Sequence, residues 1–239
     1  MPETLALVLT GITSGYAGPA VLTDVSLSVG RGQLITVVGP NGHGKTTLLK
    51  TISGLVRLRG GRIDLEGKSI AGLAPDVIAA RGVAHVPQGD LLFPQMSVEE
   101  NLLMGAYAER AKSVIAERLD EVFVRLPKLA ERRKQIASTL SGGERRMVGI
   151  GRGLMMGGRV LLIDEPSLGL APLIIEQIYL VIADLKASGR SILLVEENPA
   201  RVVDLADSIH LLDNGAIVWS GPPAELMARD ELLATYLGG

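Results

Sequence analysis

One glycine-rich segment restricts the possible folds of this chain more than any other feature. Residues 39–47 read G-P-N-G-H-G-K-T-T, directly after the apolar run Leu34–Val38 and leading into the helical sequence T-T-L-L-K-T-I-S. The segment matches G-x-x-x-x-G-K-[ST] in the strand, turn and helix order that this pattern requires. Its glycines let backbone N–H groups point inward, and the helix amino terminus adds partial positive charge. The pattern therefore predicts an α/β fold with a polyphosphate site at the end of a strand.

The side chains of this loop have separate expected roles. Lys45 supplies a point charge for the β and γ phosphates, Thr46 places its hydroxyl on Mg²⁺, and Thr47 lies at the α and β phosphates. His43 is expected to be a spacer that presents its N–H group, not a catalyst. The predicted nucleotide-binding residues of the loop are Gly39, Pro40, Asn41, Gly42, His43, Gly44, Lys45, Thr46 and Thr47.

Short apolar runs of strand length recur along the chain and favour a parallel sheet. They lie at Leu34–Val38, Val83–Val86, Val160–Ile163, Ser191–Val195 and Ser208–Leu212. Continuous apolar runs are typical of strands buried on both faces, as in a parallel sheet covered by helices. Two further segments, Leu5–Leu9 and Val21–Val29, partly alternate and indicate a small antiparallel layer beside the α/β core.

Between about residues 97 and 156 the sequence becomes charged, rich in Leu and Ala, and helical in pattern. Ser97 and Glu100 form a predicted capping box at its start, and Pro127 separates two helical stretches. About sixty residues exceed what a connection between parallel strands needs. We therefore expect a helical subdomain inserted into a single domain that spans residues 1–239.

Composition excludes several classes of function. Acidic residues number 26 and basic residues 24, so the formal charge of −2 offers no basic excess for binding nucleic acid. The absence of cysteine excludes a disulfide framework, a thiolate zinc site and a cysteine nucleophile. The sequence shows no signal-peptide pattern and no apolar run of roughly 18 residues. These features predict a cytoplasmic chain without nucleic-acid partners.

A pair of carboxylates narrows the chemistry of the predicted site. Residues 160–166 read V-L-L-I-D-E-P, so a buried strand runs directly into Asp164 and Glu165. Ligands of α/β sheets bind at the carboxyl ends of the strands. Because successive strand residues point in opposite directions, Asp164 is expected to hold Mg²⁺ while Glu165 polarises the attacking water. The pair favours a hydrolase over a transferase, which would have to exclude that water.

A third motif reads L-S-G-G-E at residues 140–144 and precedes another helical sequence. Ser141, Gly142 and Gly143 would bring a hydroxyl, backbone N–H groups and the helix dipole to one point. By itself this pattern indicates either a second anion-binding helix end or a simple helix cap.

In combination, these motifs resemble those of one family. L-S-G-G-E followed about twenty residues later by L-L-I-D-E-P resembles the ATP-binding-cassette (ABC) ATPases, over essentially the whole chain. The resemblance implies the ABC ATPase fold, ATP and Mg²⁺ as ligands, and ATP hydrolysis. It places Tyr16 against adenine and gives Gln88 contact with the metal and the attacking water. It also implies a dimer, with a second copy or a related ATPase, in which the L-S-G-G segment of one subunit closes over the ATP of the other.

A finer resemblance is to the shorter of the two ATPase subunits of branched-chain amino-acid importers. It rests on V-P-Q-G-D-L-L-F-P-Q-M-S-V-E-E-N-L at 86–102, D-E-P-S-L-G-L-A-P at 164–172, L-V-E-E-N at 194–198 and Y-L-G at 236–238. It implies a motor on the inner face of the cell membrane that binds integral membrane permease subunits and works indirectly with a periplasmic or extracellular solute-binding protein. An importer of urea or short amides is one alternative, and a soluble ABC ATPase of DNA repair or ribosomes is another.

The same resemblance gives the segment Gln88–Met96 a place in the groove that receives the permease. Leu91, Leu92 and Phe93 would form an exposed apolar patch there, or would pack within the chain.

The sequence departs from the family pattern at a few positions. Ala171 stands where an Asp is usual, and Glu197 stands where a histidine that senses the γ-phosphate is usual. A carboxylate close to a phosphate is electrostatically unfavourable, so Glu197 points away, acts through Mg²⁺ or water, or is neutralised. A loop acid without a role is a further reading. Arg145 and Arg146 stand where glutamines are more usual. They are either phosphate-steering residues or surface charges, and we expect surface charges.

Overall fold

The computed structural model describes residues 5–89 and 91–237, so Asp90 and Gly238 of the motifs quoted above lie outside the described residues. The described strands are β1 (Leu5–Ser14), β2 (Leu22–Gly30), β3 (Leu34–Val38), β4 (Leu58–Leu65), β5 (Lys68–Ser69), β6 (Val83–Val86), β7 (Val160–Asp164), β8 (Ser191–Glu196), β9 (Ser208–Asp213) and β10 (Ala216–Gly221). The described helices are α1 (Lys45–Ile52), α2 (Pro75–Ala80), α3 (Val98–Gly105), α4 (Lys112–Arg125), α5 (Pro127–Glu131), α6 (Gly142–Met155), α7 (Pro172–Ala187), α8 (Pro223–Met227) and α9 (Asp230–Leu237).

A six-stranded sheet forms the centre of the fold, in the order β10-β9-β3-β8-β7-β6. Every pairing in it is parallel except that of β10 with β9. The predicted parallel core is therefore confirmed. Strands β7, β8 and β9 each run one residue further than their apolar runs indicated, and each added residue is acidic.

The antiparallel layer is a separate four-stranded sheet, in the order β2-β1-β4-β5. The layer is confirmed with different bounds. Strand β1 is longer than expected and continues to Ser14, whereas β2 has the expected length but lies one residue later, ending at Gly30. Strands β4 and β5 were not predicted. Strand β4 reads L-R-G-G-R-I-D-L, whose glycines and charges hide its strand character, and all five of its residues before Ile63 are exposed or half-buried.

Two hydrophobic cores cover the two faces of the central sheet. Strand β3 shows how alternation divides them, since Ile35 and Val37 belong to the core shared with β1, β2 and α1. Leu34 and Val38 belong to the opposite core, which contains residues of α3, α6 and α7. All five residues of β3 are buried, as expected for a strand covered on both faces.

The helices from α3 to α6 occupy the region that the sequence marked as helical. The Ser97–Glu100 capping box is present, with the Ser97 N–H donating to Glu100 Oε2 at 2.7 Å. Helix α5 begins at Pro127, which separates it from α4 as predicted. Helix α6 contains glycines that allow close approach, because a Cβ at Gly153 would lie 2.4 Å from a methyl carbon of Val86. This packing seats α6 directly on strand β6.

Within residues 5–89 and 91–237, no helix is both long enough and apolar enough to span a membrane.

Candidate nucleotide site

The glycine-rich loop leaves the end of β3 and leads into α1, which begins at Lys45. Gly42 and Gly44 have φ angles of 84° and 109°, in the left-handed region that glycine adopts without strain. A Cβ at Gly39 would lie 2.1 Å from the Leu212 carbonyl oxygen, so the loop passes the end of β9 too closely for any side chain. A Cβ at Gly42, in contrast, would meet no atom within 4 Å. The loop therefore has the strand, turn and helix geometry that cradles phosphate.

Lys45 is buried, with 3% of its surface exposed, and its ammonium is surrounded by acceptors. Its Nζ donates to the carbonyl oxygens of Gly39 at 2.8 Å and Pro40 at 3.0 Å. A further contact joins Nζ to Asn41 Oδ1 at 3.4 Å, and an ion pair joins it to Glu165 Oε1 at 3.0 Å. The lysine is thus held over the loop, and phosphate oxygens binding there would exchange with these acceptors.

Glu165 and Gln88 come together although 77 positions separate them in the sequence. Gln88 Nε2 donates to Glu165 Oε2 at 2.8 Å, while the other carboxylate oxygen of Glu165 faces Lys45. Glu165 is 5% exposed and has a φ of 42°, a left-handed conformation that costs free energy in a residue with a side chain. Such strain persists only where surrounding contacts hold it, and it is frequent at functional sites.

Asp164 ends strand β7 beside the first turn of α1, and Thr46 Oγ1 donates to its Oδ1 at 3.0 Å. Burial raises the pKa of Asp164 to about 6, an effect that the Thr46 hydrogen bond partly offsets and the charge of Glu165 reinforces. The second oxygen, Oδ2, is buried and has no hydrogen-bond partner. A buried unpartnered carboxylate oxygen next to a threonine hydroxyl suits Mg²⁺, which is commonly bound by one or two carboxylates together with substrate phosphates.

Glu197 follows strand β8 and turns toward the glycine-rich loop, not away from it. Asn41 Nδ2 donates to Glu197 Oε1 at 3.0 Å, and the same Asn41 side chain contacts Lys45 through its oxygen. Glu197 itself is exposed. Asn41 was predicted only as a loop residue, so its role as a link between Lys45 and Glu197 comes from the structure.

The neighbouring Glu196 was missed by sequence reasoning. It is 1% exposed, and its carboxylate accepts hydrogen bonds from Ser167, Tyr179 and Arg201 and from the Glu197 N–H group. The signal available in the sequence was a charged residue at the end of an apolar strand.

Ser141, Gly142 and Gly143 begin helix α6, as predicted, and form a second capping box. The Glu144 N–H donates to Ser141 Oγ at 3.3 Å, and the Ser141 N–H donates to Glu144 Oε2 at 2.8 Å. A Cβ at Gly142 would make ordinary van der Waals contacts, the nearest at 3.8 Å, whereas at Gly143 it would lie 2.6 Å from Ile174. Gly143 is therefore required for packing, and a side chain at Gly142 fits without a clash.

Tyr16 lies between β1 and β2 and is 52% exposed. It borders an open concavity of about 580 Å³ that is also lined by Leu55 and Arg59. Arg59 donates to the Tyr16 carbonyl oxygen, so the backbone of this turn is held while the ring stays accessible.

His43 directs its ring toward the end of β9, where Nδ1 lies 2.7 Å from Asp213 Oδ1. Thr47 is buried in the first turn of α1. The structure thus joins the predicted site residues in one cluster, made of a chain of side-chain contacts and a neighbouring pair. The chain of contacts links Glu197, Asn41, Lys45, Glu165 and Gln88, and the hydrogen-bonded pair Thr46 and Asp164 precedes or follows two of these residues directly in the sequence. No hydrogen bond between described residues joins Tyr16 or Ser141 to that cluster.

One expectation requires correction. Arg146 is not a surface charge, because it is 4% exposed and donates to backbone carbonyl groups around the site. Its burial was detectable from the sequence, since Gly143, Arg146 and Ile150 follow the spacing of a buried helix face.

The sequence left the segment around Leu92 open between an exposed apolar patch and packing within the chain. Leu91 and Phe93 are 64% and 44% exposed, whereas Leu92 is half-buried against the core.

The fold and this cluster define a P-loop nucleotide hydrolase, with a glycine-rich loop between a strand and a helix, two carboxylates at a strand end and one of these carboxylates beside the lysine. The sequence profile of the family described as "ABC transporter" matches residues 22–168. The chain belongs to the ABC transporter family, and it is an ATP-hydrolysing subunit with the ABC ATPase fold.

Similar proteins cover nearly its whole length. The chain is 41% identical to the high-affinity branched-chain amino acid transport ATP-binding protein BraG of Pseudomonas aeruginosa, over 95% of this chain and 97% of the relative. It is 36% identical to the probable branched-chain amino acid transport ATP-binding protein LivF of Archaeoglobus fulgidus, with 95% and 96% covered. The lipopolysaccharide export system ATP-binding protein LptB of Haemophilus influenzae is 32% identical, with 97% of each covered.

Among solved structures, the ADP conformation of MJ1267, an ATP-binding cassette of an ABC transporter, superposes with a TM-score of 0.86. The identity is 27%, and the superposition covers 96% of this chain and 97% of the other.

Proposed function

We propose that this ABC ATPase powers the uptake of branched-chain amino acids. The observation that supports this function best is the 41% identity with BraG, a branched-chain amino acid transport protein, over nearly the full length of both chains. LivF, the second relative, has the same type of transport in its name. The export protein LptB is less similar, at 32%. The ATPase of a urea or short-amide importer remains the alternative within the import lineage.

In this proposal the described cluster performs hydrolysis. Lys45 and the loop N–H groups bind the β and γ phosphates, and Lys45 leaves its ion pair with Glu165 to do so. Thr46 and Asp164 hold Mg²⁺, which supplies charge neutralisation on the phosphates when bound. Glu165 then orients and polarises the attacking water, and Gln88 holds Glu165 in place and reaches toward metal and water.

Two predicted residues act at the edges of this cluster. Tyr16 stacks on adenine, which its exposed ring and the neighbouring concavity permit. Glu197 reports the state of the phosphate site through Asn41, because the two side chains are hydrogen-bonded.

The working enzyme is proposed to be a dimer with a second ATPase subunit, either a second copy or a related chain. In it, Ser141, Gly142 and Gly143 complete the partner's ATP site. The exposure of Gly142 at the amino end of α6 supports this role, since N–H groups and the helix dipole there favour an anion.

We further propose that the protein works on the cytoplasmic face of the membrane, bound to permease subunits and acting indirectly with a solute-binding protein. The exposed Leu91 and Phe93, in the segment that follows Gln88, support a contact with the permease at this surface.

Reconstitution tests the proposal. The chain is purified from membranes with the permease subunits that accompany it, and the complex is placed in proteoliposomes with ATP and a solute-binding protein. We expect ATP-dependent uptake of radiolabelled leucine but not of urea, and its loss with Glu165→Gln, whose hydrolysis should fall by about 10²-fold or more. Uptake of urea alone would assign the alternative substrate, and a chain that never associates with membranes would contradict a transport function.

A further inference from the structure

The buried guanidinium of Arg146 makes contacts that the proposed mechanism does not use. Arg146 lies on α6, one turn beyond the Ser141 cap, and is 4% exposed. Its NH1 donates to the carbonyl oxygens of Pro87, at 2.8 Å, and of Gly89. Its NH2 donates to the Asp164 carbonyl at 2.7 Å, and its Nε donates to the Pro166 carbonyl at 3.2 Å.

The four carbonyl groups have a common feature. Pro87 and Gly89 are the residues on either side of Gln88, and Asp164 and Pro166 are the residues on either side of Glu165. One guanidinium therefore brackets the backbone of two residues whose side chains are themselves joined at 2.8 Å. The two segments belong to different strand ends, β6 and β7, and Arg146 reaches both from a helix.

We propose that Arg146 is a positioning residue that sets the backbone of Gln88 and Glu165 so that the two side chains meet at the γ-phosphate site. The inference rests on the proposed catalytic roles of Gln88 and Glu165. Arg146 acts through these two residues and is not itself a catalytic group.

Backbone strain explains why such a clamp is needed. Glu165 has a φ of 42° and Gly89 has a φ of 77°, so both bracketed segments contain a residue in the left-handed region. For Glu165 this conformation is unfavourable and persists only when neighbouring contacts define it. Hydrogen bonds to the carbonyl groups before and after Glu165 supply such contacts.

The geometry also requires arginine. A guanidinium presents five N–H donors in a rigid planar fork, whereas the lysine ammonium is a compact charge with three donors on a flexible stem. Lysine at this position cannot reach carbonyl groups on both strand ends in the same arrangement. Without these donors, the backbone segments that carry the buried carbonyl groups would shift from their positions. Misplacement of about 1 Å near the chemistry lowers rates by about 10²-fold.

The test compares Arg146→Lys with a matched control, Arg118→Lys. Arg118 also donates to backbone carbonyl groups of α6, those of Met155 and Met156, but at the opposite end of the helix. We expect Arg146→Lys to lower kcat about 10-fold or more with KM changed less than about 2-fold, and Arg118→Lys to leave both unchanged. Rates are expressed per ATP-binding site, counted by titration with a fluorescent ATP analogue, so that unfolded chains do not contribute. Arg146→Gln, which keeps two N–H donors without the charge, is measured in parallel.

Combination with Gln88→Ala separates positioning from a purely structural role. If Arg146 acts partly by holding Gln88, its loss has less effect once the Gln88 side chain is absent, and the double variant is slower than the slower single variant by at most about threefold. The inference would be overturned if the fold-loss in kcat of the double variant equalled the product of the two single losses. Equal kcat values for Arg146→Lys and the Arg118→Lys control would overturn it as well.

Glu165→Gln separates a failure of the positioning role from a failure of the proposed catalytic role of Glu165. An inactive Glu165→Gln beside a fully active Arg146→Lys refutes the positioning role alone. Hydrolysis near the wild-type rate in Glu165→Gln refutes the catalytic assignment and the inference together.

Discussion

Replacement of Asp164 by Asn tests the electrostatics of the nucleotide site most directly. Burial raises the pKa of Asp164 from 3.8 to about 6, despite the opposing Thr46 hydrogen bond. The raised pKa means that the folded chain binds the proton more tightly than the unfolded chain does. Stability is therefore greatest below the unfolded pKa, falls as the pH rises from about 4 to about 6, and stays reduced at higher pH. Asn retains an oxygen for Thr46 and removes the charge.

The free-energy cost of burying the ionised Asp164 side chain follows from the change in its pKa. A difference of about 2 pKa units corresponds to a cost of about 3 kcal/mol at about pH 8, at roughly 1.36 kcal/mol per unit. About half of this cost, roughly 1.4 kcal/mol, develops between about pH 5 and about pH 8, because the unfolded carboxyl group is already ionised at the lower value. In a chain of this size 1 kcal/mol changes Tm by about 2–4 °C. The Tm advantage of Asp164→Asn over the wild type should thus be about 3–6 °C larger at the higher pH.

The assay is thermal unfolding of both chains at the two pH values, first without nucleotide or metal and then with Mg²⁺ and ATP. Asp120→Asn, an exposed change on α4, is the control and should shift Tm equally at both pH values. With Mg²⁺ and ATP the order should reverse, because ligand that binds only the folded state stabilises the wild type and the variant has lost the proposed metal ligand. An identical Tm difference between wild type and Asp164→Asn at both pH values would contradict the argument from burial.

Three other substitutions test the remaining parts of the site. Lys45→Ala should weaken ATP binding at least about 10-fold in an equilibrium titration, the loss expected for a charge-assisted bond of about 1.5–3 kcal/mol, and unchanged affinity would remove this lysine from the phosphate site. Gly142→Asp should leave the fold intact, since a Cβ there makes only ordinary van der Waals contacts, but should block ATP-induced dimers in gel filtration by placing a carboxylate against the partner's phosphate. Glu197→Gln keeps the oxygen that accepts a hydrogen bond from Asn41 and removes a negative charge. The KM for ATP should therefore fall, and it should fall more at low salt than at high salt. An unchanged KM at both salt concentrations would mean that this carboxylate does not face the phosphates.

Part of this architecture was predictable because its signals are local. A parallel strand buried on both faces requires a continuous apolar run, and Leu34–Val38 meets this requirement without reference to the rest of the chain. The capping box at Ser97 and the break at Pro127 likewise depend on a few neighbouring residues. Strand β5, in contrast, has only two residues, Lys68 and Ser69, both exposed. Its formation depends on pairing with β4, and its own sequence has no strand signal.

Arg146 illustrates the limit of local reading. An arginine is usually a surface charge. Helical spacing from Gly143 and Ile150 places Arg146 on a buried face, but it does not show which groups the guanidinium meets there. Its burial depends on four carbonyl groups that lie 18 to 59 positions away.

Local motifs are enough to identify the chemical groups available to this protein: a glycine-rich loop with Lys45 and Thr46, two carboxylates at the end of a strand, and a glycine-rich helix start. Which of these groups meet depends on the tertiary fold. It brought Gln88 to Glu165 and Asn41 to Glu197, across 77 and 156 positions, and it buried Asp164 deeply enough to raise its pKa to about 6. The physical reason is that motifs depend on neighbours along the chain, whereas contact and desolvation depend on how distant strand ends converge at one edge of the sheet.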